Sequence, residues 1–278
     1  MRKLAIGIAA SGALALTGLV APVASAADSP DLVFSAVTVN SGKAVVVGTA
    51  ATVKVPVTYT LTRPSDLTVD YKTKFSGVML YRGTLSRMAN EIDPEDAPTC
   101  TTTATTDTTV TESCKETLAF EPGYLYTASD ATTWKAAGVY SKLDQDDDDS
   151  DGHISFTSSY DAWGPLGSGA RIKRAARLTV NASPEPVKKG GTITVTGKLT
   201  RANWGTGTYT GYTTQKATLQ FRAKSATSYT TVKTVTSGTG GALKTTTKAT
   251  KDGYYRYVFA GTTTTGSATA TGDYIDVR

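Results

Sequence analysis

Thr192-Ile193-Thr194-Val195-Thr196-Gly197-Lys198-Leu199 puts Ile193, Val195 and Leu199 on one side of an extended chain, with threonine and lysine on the other. Side chains alternate between faces along a β-strand, so an apolar period of two marks a half-buried strand. Upstream lie the turn Lys189-Gly190-Gly191 and the breaker Ser183-Pro184-Glu185-Pro186. Before these, Leu178 and Val180 alternate with Thr179 and Asn181. Downstream, residues 217–223 repeat the pattern with Leu219 and Phe221 inward. Residues 229–236, 242–247, 254–260 and 274–277 follow, separated by glycine- and serine-rich turns. About seven short strands in roughly 100 residues, each with one apolar face, predict an immunoglobulin-like β-sandwich. Asp252-Gly253-Tyr254-Tyr255-Arg256-Tyr257 reads as the turn into a late strand, where such folds often carry a tyrosine corner.

The first half reads the same way, with longer loops. Val53, Val55, Val57, Tyr59 and Leu61 occupy every second position. Residues 33–39, 75–81, 115–120, 134–140, 154–157 and 171–174 complete a comparable set, and Pro64-Ser65-Asp66 and Pro122-Gly123 are turns. Loops are expected over residues 85–98 and 144–152. Thr, Gly, Ser, Val and Tyr dominate, and no segment holds a 3.6-residue apolar period. The predicted class is therefore all-β, with two tandem immunoglobulin-like β-sandwich domains.

Export is written at the N-terminus. Arg2 and Lys3 precede a chargeless stretch from residue 4 to 20, and Ala24-Ser25-Ala26 supplies the small residues of a cleavage site. The glycines within that stretch make it a poor membrane span. With no cysteine nearby, lipid attachment is not expected there. Residues 272–278 carry no hydrophobic tail, so the mature chain is expected to be released, without membrane insertion, or held loosely at the cell wall. Residues 1–26 are thus read as a signal peptide. Charge divides the remainder: residues 27–175 hold 13 Lys and Arg against 20 Asp and Glu, net −7, while residues 176–278 hold 14 against 4, net +10. The boundary between the two domains is placed there, and an anionic polymer is the expected partner of the basic half.

Two cysteines in an exported chain, Cys100 and Cys114, are expected to form one disulfide around a Thr-rich polar stretch, stabilising by about 3 kcal/mol in the chain-entropy model. Two free thiols are the alternative.

Residues 177–190, Arg177-Leu178-Thr179-Val180-Asn181 through Val187-Lys188-Lys189-Gly190, followed by Val195-Thr196-Gly197-Lys198-Leu199-Thr200-Arg201-Ala202-Asn203-Trp204, resemble the C-terminal module of secreted immunoglobulin-like proteins of actinomycetes. Trp134-Lys135-Ala136-Ala137-Gly138 resembles their N-terminal part more loosely. The resemblance implies a secreted sandwich protein of a group usually described only as calcium-binding or Ig-like, and it brings no catalytic residues with it.

Catalytic chemistry finds little purchase. His153 is the only histidine, so a nucleophile–histidine pair or a multi-histidine metal site would have to use it. No phosphate-cradling glycine loop opens a helix. A glycosidase needs two carboxylates, which the acidic half could supply. The sharpest motif is Asp147-Asp148-Asp149-Ser150-Asp151-Gly152-His153-Ile154-Ser155. Its D-x-D-x-D-G-x-I-x spacing matches the first nine positions of a calcium loop: Asp147, Asp149 and Asp151 supply carboxylates, the His153 carbonyl and Ser155 further oxygens, and Gly152 the reversal. Position twelve is Ser158 rather than glutamate. The other reading is a solvated acidic hairpin tip, favoured by the extra charge of Asp146 and Asp148. Trp204, Tyr209 and Tyr212 lie on a loop that could stack against sugar rings or fold back over the open end of the sandwich. The sum is a non-catalytic extracellular binding or structural protein, with an anionic cell-wall polymer, an extracellular protein or a carbohydrate as partner, not nucleic acid. A secreted inhibitor or regulator of an extracellular enzyme is the alternative, and a carbohydrate-active enzyme the third reading.

Overall fold

A computed structural model of the chain describes residues 29–70, 72–146 and 155–278. The segment read as a signal peptide lies outside these residues, as do Asp147, Asp149, Asp151 and His153. The described chain is β throughout apart from three single 3₁₀ turns, and it divides into two compact units. The first comprises the described residues of Met1–Val45, with Val53–Phe120 and Thr133–Arg171. The second comprises Val46–Thr52, Glu121–Thr132 and Ile172–Arg278, so two segments of the acidic half cluster with the basic one.

The first half of the chain carries β1 (Val33–Val39), β2 (Val45–Val47), β3 (Val53–Pro64), β4 (Lys74–Thr84), β5 (Arg87–Ile92), β6 (Thr99–Thr105), β7 (Thr109–Phe120), β8 (Thr133–Asp146) and β9 (Ser155–Arg174). They form two sheets, β1-β3-β7-β6 and β2-β9-β8-β4-β5. Lettered along the chain, this is A-B-E-D facing A′-G-F-C-C′, the immunoglobulin order. Residues 85–98 were expected as loop, yet they contain β5. Residues 154–157 and 171–174 were read as separate strands, but 155–157 and 171–174 are the two ends of the single strand β9, and residue 154 lies outside the described residues.

The alternating residues of β3, Val55, Val57, Tyr59 and Leu61, are buried as their spacing requires. Phe34 of β1 packs on Tyr59 and Trp163, with ring centroids 5.8 and 6.1 Å away, and Phe120 meets Trp134 edge-on. Gly138 makes the first packing possible, because a Cβ there would clash with the Phe34 ring. The disulfide joins Cys100 of β6 to Cys114 of β7, which face each other in register. It therefore links D to E within one sheet, where immunoglobulin domains tie B to F between sheets.

The second unit is built from β10 (Ala176–Leu178), β11 (Asn181–Ser183), β12 (Thr192–Asn203), β13 (Thr208–Gly211), β14 (Lys216–Ala223), β15 (Thr230–Thr236), β16 (Ala242–Lys248), β17 (Gly253–Phe259), β18 (Ala268–Thr269) and β19 (Asp273–Ile275). Residues 192–199 lie in β12, which pairs with β10, β11, β13 and β16. The facing sheet runs β15-β14-β17, with β18 and β19 on the far edge of β17. Ile193, Val195 and Leu199 are fully buried against Leu219, Leu243, Tyr255, Tyr257 and Phe259. Tyr257 is not a corner tyrosine. Its hydroxyl crosses the sandwich and donates to the Val195 carbonyl at 3.0 Å, and burial pushes the phenol up to about 12.

Candidate functional site

Strand β17 alternates strictly: Tyr255, Tyr257 and Phe259 point into the core, while Tyr254, Arg256 and Val258 point out. Register then assembles a surface from three strands. Arg222 of β14 and Tyr274 of β19 both face Tyr254, and Gln220 of β14 faces Arg256. Tyr229, just before β15, completes it. Gly272 leaves the space this ring needs, since a Cβ there would sit against the Tyr229 hydroxyl.

The result is a ladder of three cations and three tyrosine rings. Lys224 stands 5.7 Å from the Tyr274 ring, and Tyr274 lies 5.2 Å from Tyr254. Arg222 lies over Tyr254 at 4.5 Å and over Tyr229 at 5.3 Å, and Arg256 covers Tyr229 at 3.6 Å. Two hydrogen bonds orient the guanidinium groups: Arg222 Nη1 donates to the Ala226 carbonyl at 2.8 Å, and Arg256 Nε to Gln220 Oε1 at 3.0 Å. Stacking uses the flat face of a guanidinium and leaves its remaining edge N–H groups directed outward, the geometry that takes a carboxylate or phosphate two oxygens at a time.

Of the neighbouring acids, Asp252 bonds the Tyr274 hydroxyl, and each has a further partner. Asp252 accepts from the Val277 amide, Asp273 from the Ala182 amide, and Asp276 pairs with Arg278. Among the described residues, no ion pair of 4.0 Å or less neutralises Arg222, Lys224 or Arg256. Partial loss of solvent, then Asp252, raises the Tyr274 phenol, with Lys224 opposing, so the ring stays neutral at physiological pH.

The aromatic residues singled out from sequence are placed differently. Trp204 is only 9% exposed, and its Nε1 donates to the carbonyls of Val47 and Gly48 at 3.3 and 3.1 Å. Tyr209 lies beneath Arg177 at 3.7 Å, and Tyr212 beneath Arg201 at 4.1 Å while also packing on Phe259. All three rings belong to the second unit, Trp204 buried and Tyr209 and Tyr212 half-buried beneath their arginines. Exposed aromatics that the sequence reading passed over include Tyr160 and, in the second unit, Tyr124, 44% exposed, and Tyr126, 61% exposed. Tyr124 and Tyr126 flank buried Leu125 after the Pro122-Gly123 turn, and the buried Asp130 carboxylate holds the Tyr126 and Thr127 amides. Of the residues proposed for calcium, Ser155 begins β9 and the others lie outside the described residues. Among the described residues, no group of three or more His, Cys, Asp or Glu could hold a metal.

This chain is an immunoglobulin-like double sandwich with a disulfide. No helix among the described residues is long and apolar enough to cross a membrane. No family model matches the chain, and no curated protein matches it. Among solved structures, the full ectodomain of mouse nectin-like molecule 4, with domains Ig1 to Ig3, aligns over 87% of this chain and 63% of its own length, at 15% identity and a TM-score of 0.22. The fold assignment stands on the strand order.

Proposed function

We propose that this is a secreted, non-catalytic binding protein that grips an anionic extracellular polymer, such as a cell-wall polymer, through the tyrosine–arginine ladder of its second unit. The observation that carries this reading is the placement of Arg222 and Arg256 on one outward sheet face with Lys224 beside them, each against a tyrosine ring and, among the described residues, none in an ion pair. Scattered lysines would serve solubility alone. Oriented guanidinium groups between rings provide both charge and a surface on which sugar rings can lie.

Calcium in the acidic stretch of the first half belongs to the same proposal. Support comes from the carboxylate spacing and from the strands that flank it. Asp146 and Ser155 face each other in the β8–β9 ladder, so the two ends of the intervening stretch are held together.

The test is affinity electrophoresis of the full chain in teichoic acid or heparin gels, over a range of salt. Retardation should fall steeply as salt rises, because screening shortens to about 8 Å at physiological ionic strength. Arg222→Ala with Arg256→Ala should remove most of it, and Lys188→Ala with Lys189→Ala, of equal charge change, should remove little. Equal losses in the two pairs would reduce the effect to net charge and overturn the ladder.

A further inference from the structure

The first unit has a groove of about 490 Å³, within the range of small-ligand pockets. Its floor is one row across three strands: Phe75 of β4 faces Ser141 of β8, which faces Tyr160 of β9, with Val139 beside them. Tyr160 is 49% exposed, and its hydroxyl bonds the Met79 sulfur at 3.1 Å, which fixes the ring. The wall is residues 93–97, where the chain leaves β5 and Pro94 bridges to Leu118 of β7. This wall brings Asp93, Glu95 and Asp96 to an aromatic floor.

Two observations define what would fit. The three carboxylates do not converge on one point, since no trio of acidic side chains among the described residues could hold a metal. Their charge is only partly offset: one lysine, Lys54, pairs with Glu95 at 3.0 Å from an exposed position and also feels Asp96. Lys74 and Lys142, next to Phe75 and Ser141, fall on the alternate face of the sheet. Spread negative charge above an aromatic floor complements a cation carried on an apolar stem, which can lay its methylenes on the rings and give its N–H groups to the carboxylates.

We infer that this groove binds an organic cation, an alkylammonium or alkylguanidinium group of the kind carried by lysine and arginine side chains. The inference is independent of the ladder in the second unit. Asp93 adds a pH signature. Loss of solvent and the nearby Glu91 hold its carboxyl above the ordinary range, although the residue keeps contact with water. A bound cation favours the ionised form, so affinity should rise with pH as Asp93 ionises.

The experiment is an NMR titration of the full chain with butylammonium, with 1-butanol, calcium and an end-blocked lysine tripeptide as comparison probes. Butylammonium should give saturable shifts at Phe75, Ser141 and Tyr160. Asp93→Asn should flatten the pH dependence, and Tyr160→Ala and Asp96→Asn should each weaken binding about threefold to tenfold while leaving the circular dichroism unchanged. Tighter binding of the tripeptide would support a peptide source for the cation, and equal binding a free amine. No saturable shift at tens of millimolar, equal binding of butanol, or displacement by equimolar calcium would each overturn the inference.

Discussion

Glu116 occupies a position where strand pairing stops. β5 pairs with β4 only from Leu80 toward the hairpin, and the Val78 amide donates instead to Glu116 Oε1 at 2.9 Å. Tyr59 of β3 donates to Oε2 at 3.2 Å, so one carboxyl spans both sheets of the first unit. Only 7% of the residue is exposed. Both hydrogen bonds favour the ionised form, but burial outweighs them and raises the group from 4.5 to about 8. Below 4.5 the carboxyl is protonated in folded and unfolded chains alike, and its neutral form stabilises the fold in full. Between 4.5 and about 8 the unfolded chain releases the proton while the folded chain keeps it, so stability falls as pH rises. The slope approaches about 1.4 kcal/mol per pH unit, and the whole loss is several kcal/mol. Glu116→Gln retains an acceptor for the Val78 amide and cannot ionise. In urea denaturation its stability relative to wild type should climb from pH 5 to pH 8. A constant difference over that range would mean that the carboxyl is already ionised in the fold. No sequence pattern announces this residue, because β7 reads there as an ordinary charged alternation.

At the scale of elements, apolar alternation was readable wherever a strand has a dry side, as in β3, β12 and β17. It failed where a strand has none. β6 is almost wholly exposed and threonine-rich, so it offers no period-two signal, and the stretch enclosed by the cysteines read only as polar. It is a ladder of β6 and β7 with Cys100 and Cys114 opposite each other. Between the two stretches read as strands, β9 carries Gly164-Pro165 and Gly167-Ser168-Gly169. The register slips against β8 there, and Gly167 and Gly169 take positive φ. The ladder residues are outward-facing positions of readable strands, but their meeting depends on the register of β14, β17 and β19, which alternation does not specify. In the same way, Trp204 was visible as an aromatic in a turn, while its hydrogen bonds to Val47 and Gly48 join residues distant in sequence. The disulfide yields a prediction at this scale. The native chain should titrate no thiols under denaturing, non-reducing conditions and two after reduction. Replacing both cysteines with serine should cost up to about 3 kcal/mol of unfolding free energy, with less expected because the paired strands already close the segment. Two thiols before reduction, or unchanged stability in the double variant, would contradict the assigned role.

Across the whole molecule, charge is distributed as two opposed halves, −7 over residues 27–175 and +10 over residues 176–278. The basic excess has a use in the proposed polymer contact, where the ladder residues are set among it. The acidic excess is concentrated in Asp144, Asp146, Asp147, Asp148, Asp149 and Asp151, a density that costs free energy by mutual repulsion unless a cation relieves it. Calcium is the cation that suits oxygen ligands on a short hairpin connection, because it accepts six to eight of them in flexible geometry. Magnesium demands a tight octahedron. If calcium binds the folded chain alone, stability must rise as RT ln(1 + [L]/Kd), about 2.7 kcal/mol at a hundredfold excess over Kd. The melting temperature of the full chain should therefore increase in millimolar calcium, return to its starting value with chelator, and respond weakly to magnesium. Asp149→Ala should abolish the calcium response and leave the calcium-free protein as stable as wild type or slightly more so, because it removes one of the repelling charges. A response that survives Asp149→Ala would move the ion to another site, and no calorimetric heat of binding at millimolar calcium would reduce the aspartate run to a solvated turn. The polymer contact of the basic half rests on other residues, so it would stand or fall on the arginine variants independently of that result.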